Sequence, residues 1–254
     1  MNKQALAHKT ENYPADTTER PAGGRWITMS NALTRAGHGL TLAEKRIVFI
    51  AVAKMDSRKP LPPNQAIYIS KITAAEYAEL AECNMRTAYE ALQDATKTLY
   101  RRSISFFEPS YKRNGDLVKV QMRWVGEVKY HDGEGWVELY WWPNLLPHLT
   151  GLRKQFTSYQ LKQASALRSG YSWKLLELLM RFESTGWAEY DIDDFAVSMD
   201  ATDKQRANFN NIKRRIIEPA VKELQEKDGW KIQWQPINAG RRVKAVRFDF
   251  SRQA

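Results

Sequence analysis

The sequence predicts an α+β fold of two tandem winged-helix domains. Two observations lead there. The first half reads as helices followed by a β-hairpin, and the second half repeats that order. Its 254 residues, 43% of them hydrophobic, are also enough for two modest cores. Identity between the halves is slight, so the repeat is one of topology rather than of residues.

Each element follows from local chemistry. Residues 1–24 are polar, carry Pro14, Pro21, Gly23 and Gly24, and read as a flexible N-terminal arm. The N-terminal winged helix is expected over 25–151. Thr41 precedes an apolar run, Leu42 to Met55, with Glu44 three residues on, which makes a capping box. Ser57 to Asn64 is a proline-rich loop, and Ala66 to Ser70 a short strand. Thr73 and Glu76 make a second capping box, opening a helix to about Cys83. Asn84 turns the chain into a third helix, Met85 to about Arg101, whose Ala88, Leu92, Ala95 and Leu99 keep the helical period. Three β-type runs follow, Ser103 to Phe107, Val118 to Tyr130 and Gly135 to Trp142, with a hairpin signal at Asp132-Gly133.

The C-terminal winged helix is expected over 152–254, after a short helical passage from Pro143 to Gly151. Tyr159 to Leu167 and Tyr171 to Phe182 read as helices, and Ala188 to Ile192 as a brief strand. Asp191 caps a short helix ending near Met199. A long helix then runs from about Lys204 to Glu226 with Pro219 inside it. A helix-interior proline costs about 3 kcal/mol, so a kink or a fresh start is expected there. Lys231 to Ile237 and Val243 to Phe250 alternate around the tip Asn238-Ala-Gly-Arg241.

Charge and composition narrow the function. Lys and Arg number 39 against 29 Asp and Glu, a net charge of +10, which favours a polyanionic partner. The charge is segregated: Lys204 to Arg215 holds five basic residues and no acidic one, while acids gather from Glu189 to Asp203. No apolar run is long enough to span a bilayer, and Met1 to Glu19 lacks the apolar stretch of a signal peptide. The single cysteine, Cys83, cannot form an internal disulfide. A soluble protein of a reducing compartment, the cytoplasm, is expected. Secreted disulfide scaffolds, membrane proteins and Cys-rich zinc modules are excluded.

The long helix carries the strongest functional pattern. Phe209, Ile212, Ile216, Ala220 and Leu224 draw one apolar stripe. Opposite it lie Lys204, Asn208, Asn211, Arg214, Arg215 and Lys222. Arg pairs in a bidentate manner with guanine and Asn with adenine, so this face fits a major groove. A solvated helix would instead mix its charges. Asn208, Asn211, Arg214 and Arg215 are therefore the expected base readers. Lys204, Lys213 and the hairpin-tip residues Arg241, Arg242 and Lys244 are the expected phosphate contacts.

The first half carries less of this pattern. Its third helix has Glu90 and Asp94 on the exposed side, and carboxylates repel phosphate. Trp124, Tyr130, Trp136, Tyr140, Trp141 and Trp142 crowd its strands; alternation leaves some as core and puts about half on the outer face, which points to a partner or domain interface. Dimerisation and backbone contacts are the expected roles. No phosphate-binding G-x-x-x-x-G-K-[ST] loop occurs. His8, His38, His131 and His148 stand far apart, so neither a metal site nor the His pair of a nicking enzyme is expected. Nor is any catalytic residue or cofactor.

Five motifs in order carry a family resemblance. They are Ser30-Asn-Ala-Leu-Thr-Arg35 with Leu42-Ala-Glu-Lys-Arg-Ile47; Leu152 to Leu161 with Lys154-Gln-Phe-Thr157; Tyr171-Ser-Trp-Lys-Leu-Leu-Glu-Leu-Leu179; Phe209 to Leu224 with Lys213-Arg-Arg215; and Gly240-Arg241 with Ala245-Val-Arg-Phe-Asp-Phe250. Over about residues 28–252 the chain resembles the iteron-binding plasmid replication initiators of the RepE, Pi and RepA type, which act in theta replication. The resemblance implies double-stranded DNA partners in the bacterial cytoplasm: origin iterons, bound by monomers, and an operator inverted repeat, bound by repressing dimers. It also implies host partners: an initiator ATPase, the replicative helicase and chaperones. A winged-helix transcriptional repressor with no replication role would make the same DNA contacts and is the alternative.

Overall fold

The computed structural model describes residues 24–61, 68–109, 117–131 and 133–252. The expected arm (save Gly24), most of the tail of the proline-rich loop, Ala66-Ile67 and Asp132 of the hairpin signal lie outside the described residues.

The first winged helix is built from α2 (Leu42–Val52), β2 (Ile69–Thr73), α3 (Ala74–Ala81), α4 (Met85–Leu99), β5 (Val125–His131) and β6 (Trp136–Trp141), with its antiparallel sheet in the order β2-β6-β5. Both capping boxes form. The Thr41 amide donates to Glu44 Oε2 at 2.7 Å, and the Thr73 amide to Glu76 Oε2 at 3.0 Å. Asn84 caps α4 by accepting from the Thr87 amide at 2.9 Å. Ala88, Leu92, Ala95 and Leu99 are all buried, as their period requires. On β6 the alternation puts Val137, Leu139 and Trp141 inside and leaves Trp136 and Tyr140 half-buried on the outer face. There His131 stacks on Trp136 at 3.4 Å, and Lys71 Nζ lies 3.8 Å from the same ring.

The run expected from Val118 to Tyr130 is two strands. β4 (Leu117–Arg123) pairs only with β3 (Ser103–Pro109), as a separate hairpin, while β5 joins the main sheet. Trp124 makes the break. It is fully buried and its indole N–H donates to the His38 carbonyl at 2.8 Å, a contact that a continuing strand would forfeit.

The second winged helix repeats the plan with α6 (Gly170–Met180), β8 (Trp187–Asp191), α7 (Ile192–Ser198), a helical segment from Phe209 to Asp228, β9 (Trp230–Ala239) and β10 (Arg242–Arg252). Its sheet order is β8-β10-β9. In both lobes the first strand sits beside the last. Asp191 caps α7 as expected, accepting from the Asp193 amide at 2.9 Å.

Between the lobes the sequence reading is corrected. Tyr159 stands in a strand, β7 (Phe156–Gln160), not in a helix; only α5 (Leu161–Ser165) is helical there. β7 pairs antiparallel with β1 (Trp26–Ser30), so the strand just past residue 151 is hydrogen-bonded to the first described strand. The physical reason is long-range: β1 offers an unsatisfied backbone edge that no local pattern around Tyr159 reveals. α1 (Asn31–Arg35) follows β1, capped by the Ser30 hydroxyl.

The helix expected from Lys204 is also corrected. Lys204 lies on a separate short helix, α8 (Asp203–Arg206). The chain then leaves the helix, and Asn208 starts the next one by accepting from the Asn210 amide at 2.8 Å. This second piece, α9 (Phe209–Ile212), runs on through a wide π turn at Lys213–Ile217 into α10 (Glu218–Asp228). Pro219 does not end it. Its missing N–H follows directly on the turn, where Glu218 N–H reaches back five residues to the Lys213 carbonyl. The wider turn also keeps residues four apart in line, and Ile212, Ile216, Ala220 and Leu224 are all buried.

The lobes meet around α6, which packs on α10 and is buried from Ser172 to Met180. Ionic groups are buried at this junction. Glu177 accepts from Lys45 of the first lobe at 3.1 Å and lies 3.5 Å from Lys174, and the Tyr159 hydroxyl donates to it at 2.9 Å. Burial pulls the Lys174 ammonium down to about 8, against the opposing pull of Glu177. The neighbouring His38 is held well below 6.5, by burial first and then by the two lysines.

Candidate nucleic-acid interface

The third helix of the second lobe is anchored by its apolar stripe and presents its other side outward. Arg214 and Arg215 are exposed and form no ion pair with any described residue. Each stands one turn beyond an asparagine, Arg214 after Asn210 and Arg215 after Asn211, so the pairs lie along neighbouring rows of one face. Free guanidinium groups beside amides are the donor set that reads base edges.

The other expected residues divide. Lys213 is half-buried and lies 3.7 Å from Glu218, so its charge is partly compensated. Asn208 spends its carbonyl oxygen on the helix cap, and the Asn211 amide donates to the Lys204 backbone carbonyl at 3.0 Å. Asn208 thus starts α9, and Asn211 ties it to α8. Asn210, which the helical pattern does not single out, stands in the same Asn-Asn run and is exposed on the first turn. Lys204 is exposed on α8. That short helix is held to α6 by the Gln205–Tyr171 hydrogen bond at 3.1 Å.

The hairpin of β9 and β10 carries the second cationic group. Gly240 takes φ 63°, which turns the tip, and the register shifts between Val243 and Ala245. Arg241, Arg242 and Lys244 are exposed there without a described acidic partner. Arg247 differs: it pairs with Asp249 at 2.9 Å and covers the Trp187 ring at 4.6 Å. Helix and hairpin tip therefore present unpaired cations, while the basic residue deeper in the hairpin is neutralised.

The corresponding helix of the first lobe, α4, is closed to that chemistry. Arg86 pairs with Glu90 at 3.1 Å and Lys97 with Asp94 at 2.9 Å, and Met85 and Tyr89 are exposed between them. No helix among the described residues is long and apolar enough to cross a membrane.

Comparison with known proteins adds the family. The model described as "Initiator Replication protein, WH1" matches residues 26–180, and that described as "Initiator Rep protein, WH2" matches residues 191–250. The chain is 25% identical over 214 residues to the "Uncharacterized 27.6 kDa protein" of Escherichia coli, covering 79% of this chain and 85% of that one. It is 22% identical over 258 residues to the "PI protein" of Escherichia coli, covering 88% and 82% respectively. A "Replication initiation protein" of Escherichia coli is 23% identical over 203 residues, which are 78% of this chain and 61% of that one. Among solved structures, the Pi initiator protein in complex with iteron DNA superposes with a TM-score of 0.74 at 22% identity, over 91% of this chain and 98% of that one, a likeness of fold. Two winged helices of one topology, joined in order and matched by the WH1 and WH2 models, make this chain a member of the initiator replication protein family.

Proposed function

We propose that this protein starts plasmid replication by binding origin iterons as a monomer. It would help open the origin and recruit the host initiator ATPase and replicative helicase. As a dimer, which host chaperones would dissociate into monomers, it would repress its own gene at an operator inverted repeat. The second winged helix reads the sequence through Arg214 and Arg215, with Asn208 and Asn211 beside them. Lys204, Lys213, Arg241, Arg242 and Lys244 hold phosphates. The first winged helix supplies the dimer contact and backbone contacts. The protein works in the bacterial cytoplasm by binding alone, without a cofactor or covalent chemistry of its own.

One observation carries this reading: in a member of an initiator family, the outward face of the second lobe's third helix carries two exposed guanidinium groups with no acidic partner among the described residues. The family match and the Pi–iteron fold likeness support duplex DNA as the partner. The test is a gel shift with fragments of the DNA flanking the gene. Preferential retention of a fragment bearing several direct repeats of about two helical turns is expected. A plasmid carrying that fragment but no copy of the gene should replicate when the protein is supplied in trans. Binding without replication would leave the transcriptional repressor, and no preferential binding would remove both readings.

A further inference from the structure

One carboxylate at the junction makes its described side-chain hydrogen bonds entirely with the other lobe. Asp200, just past α7 in the second winged helix, accepts from the backbone amides of His38 and Gly39 at 3.0 and 3.1 Å through Oδ2. It holds φ 53°, a left-handed backbone that few non-glycine residues take. The loop it enters is shaped to receive it. A Cβ on Gly37 would come within 2.7 Å of Asp200 Oδ1 and 3.0 Å of the Val197 carbonyl, and the second of these atoms cannot swing aside.

The receiving loop belongs firmly to the first lobe. Gly37 exchanges two backbone hydrogen bonds with Ser105 at 2.9 Å, and the buried Trp124 holds the His38 carbonyl. Two more contacts flank the carboxylate: Arg35 pairs with Asp194 at 3.0 Å, and the Ser198 hydroxyl donates to the Arg35 carbonyl at 2.6 Å. The apolar packing nearby, such as Phe49 on Trp173 at 5.6 Å, is non-directional. Charge-assisted hydrogen bonds to two fixed amides are directional.

We propose that Asp200, seated on the Gly37–Gly39 loop, is the positioning residue that fixes the two winged helices in one relative orientation and so sets the spacing at which they meet a single duplex. The spacing half of this rests on the DNA-binding reading above; the orientation half does not.

The test reads the two halves separately. In full-length protein with Cys83→Ser, spin labels at Gln93→Cys on α4 and Gln225→Cys on α10 report the inter-lobe distance without DNA. A single narrow distribution is expected for the parent. Asp200→Ala and Gly37→Ala should each broaden or shift it, with the helical circular dichroism retained. Asp200→Asn, which keeps an acceptor oxygen, should fall between parent and Ala. Distributions superimposable on the parent in both Asp200→Ala and Gly37→Ala would overturn the proposal.

The DNA arm uses a duplex selected by the wild-type protein from a randomised pool and the same duplex cut to the half bound by the second lobe. Asp200→Ala should weaken full-length binding about tenfold and leave the short duplex unchanged, because pre-set spacing acts as an effective concentration. Equal loss on both, or none on either, would overturn the spacing role. A wild-type protein that selects no duplex would defeat the DNA reading while the distance measurement still decides the orientation.

Discussion

The third helices of the two winged helices occupy the same place in the same topology, yet their outer faces differ in kind. On α4 each cation has a carboxylate one turn away, Arg86 with Glu90 and Lys97 with Asp94. On the segment from Phe209 to Asp228, Arg214 and Arg215 have none among the described residues. The fold presents a helix; the side chains decide whether it can approach a polyanion. A self-neutralised face has no net attraction to offer phosphate, while an unpaired guanidinium keeps its full donor set.

This contrast can be broken by substitution. The largest effect is expected from Arg215→Ala, which should cost about 1–3 kcal/mol of binding to the cognate duplex and relax choice at one base pair. Fluorescence anisotropy against single-base variants measures both, and unchanged binding would remove Arg215 from the readout. Arg242→Ala at the hairpin tip should weaken all duplexes alike and lower the salt slope by about 0.9 for one lost phosphate contact. Arg86→Ala on α4 sharpens the comparison: it removes a cation already spent on Glu90, so affinity should change less than about twofold. A loss as large as that of Arg215 would mean that the first lobe also reads bases.

The junction both lobes share makes a separate prediction, read in stability rather than in DNA affinity. The folded Lys174 titrates at about 8, below its unfolded value of 10.5. Between those values the unfolded chain binds more protons, so stability rises with pH there. His38 stays neutral well below 6.5, so the unfolded chain takes up a proton first and stability falls as pH drops through 6.5. Urea midpoints should therefore climb from pH 5 to 7 and again from 8 to 9.5, and Lys174→Met should flatten the second climb. A profile identical in slope for wild type and Lys174→Met would contradict the charge buried beside Glu177.

Much of this was legible in the residues. Thr41 with Glu44 and Thr73 with Glu76 announce helix starts because capping is settled within four positions. The stripe from Ile212 to Leu224 likewise announces a buried face, and the basic outer face follows from it. The failures share one cause. Tyr159 reads as helical until β1, more than a hundred residues earlier, claims its backbone. Trp124 reads as mid-strand until its indole finds the His38 carbonyl.

The sequence alone determined the helix starts marked by capping boxes, the two-lobe element order and which helix carries a basic outer face, because periodicity, caps and charge are properties of neighbouring positions. Only the tertiary structure decided how the lobes join: β1 with β7, Lys45 with Glu177, and Asp200 with the amides of His38 and Gly39. Those partners lie far apart along the chain. Backbone edges and buried charges are satisfied by whatever folding brings beside them, and no local pattern encodes that neighbour.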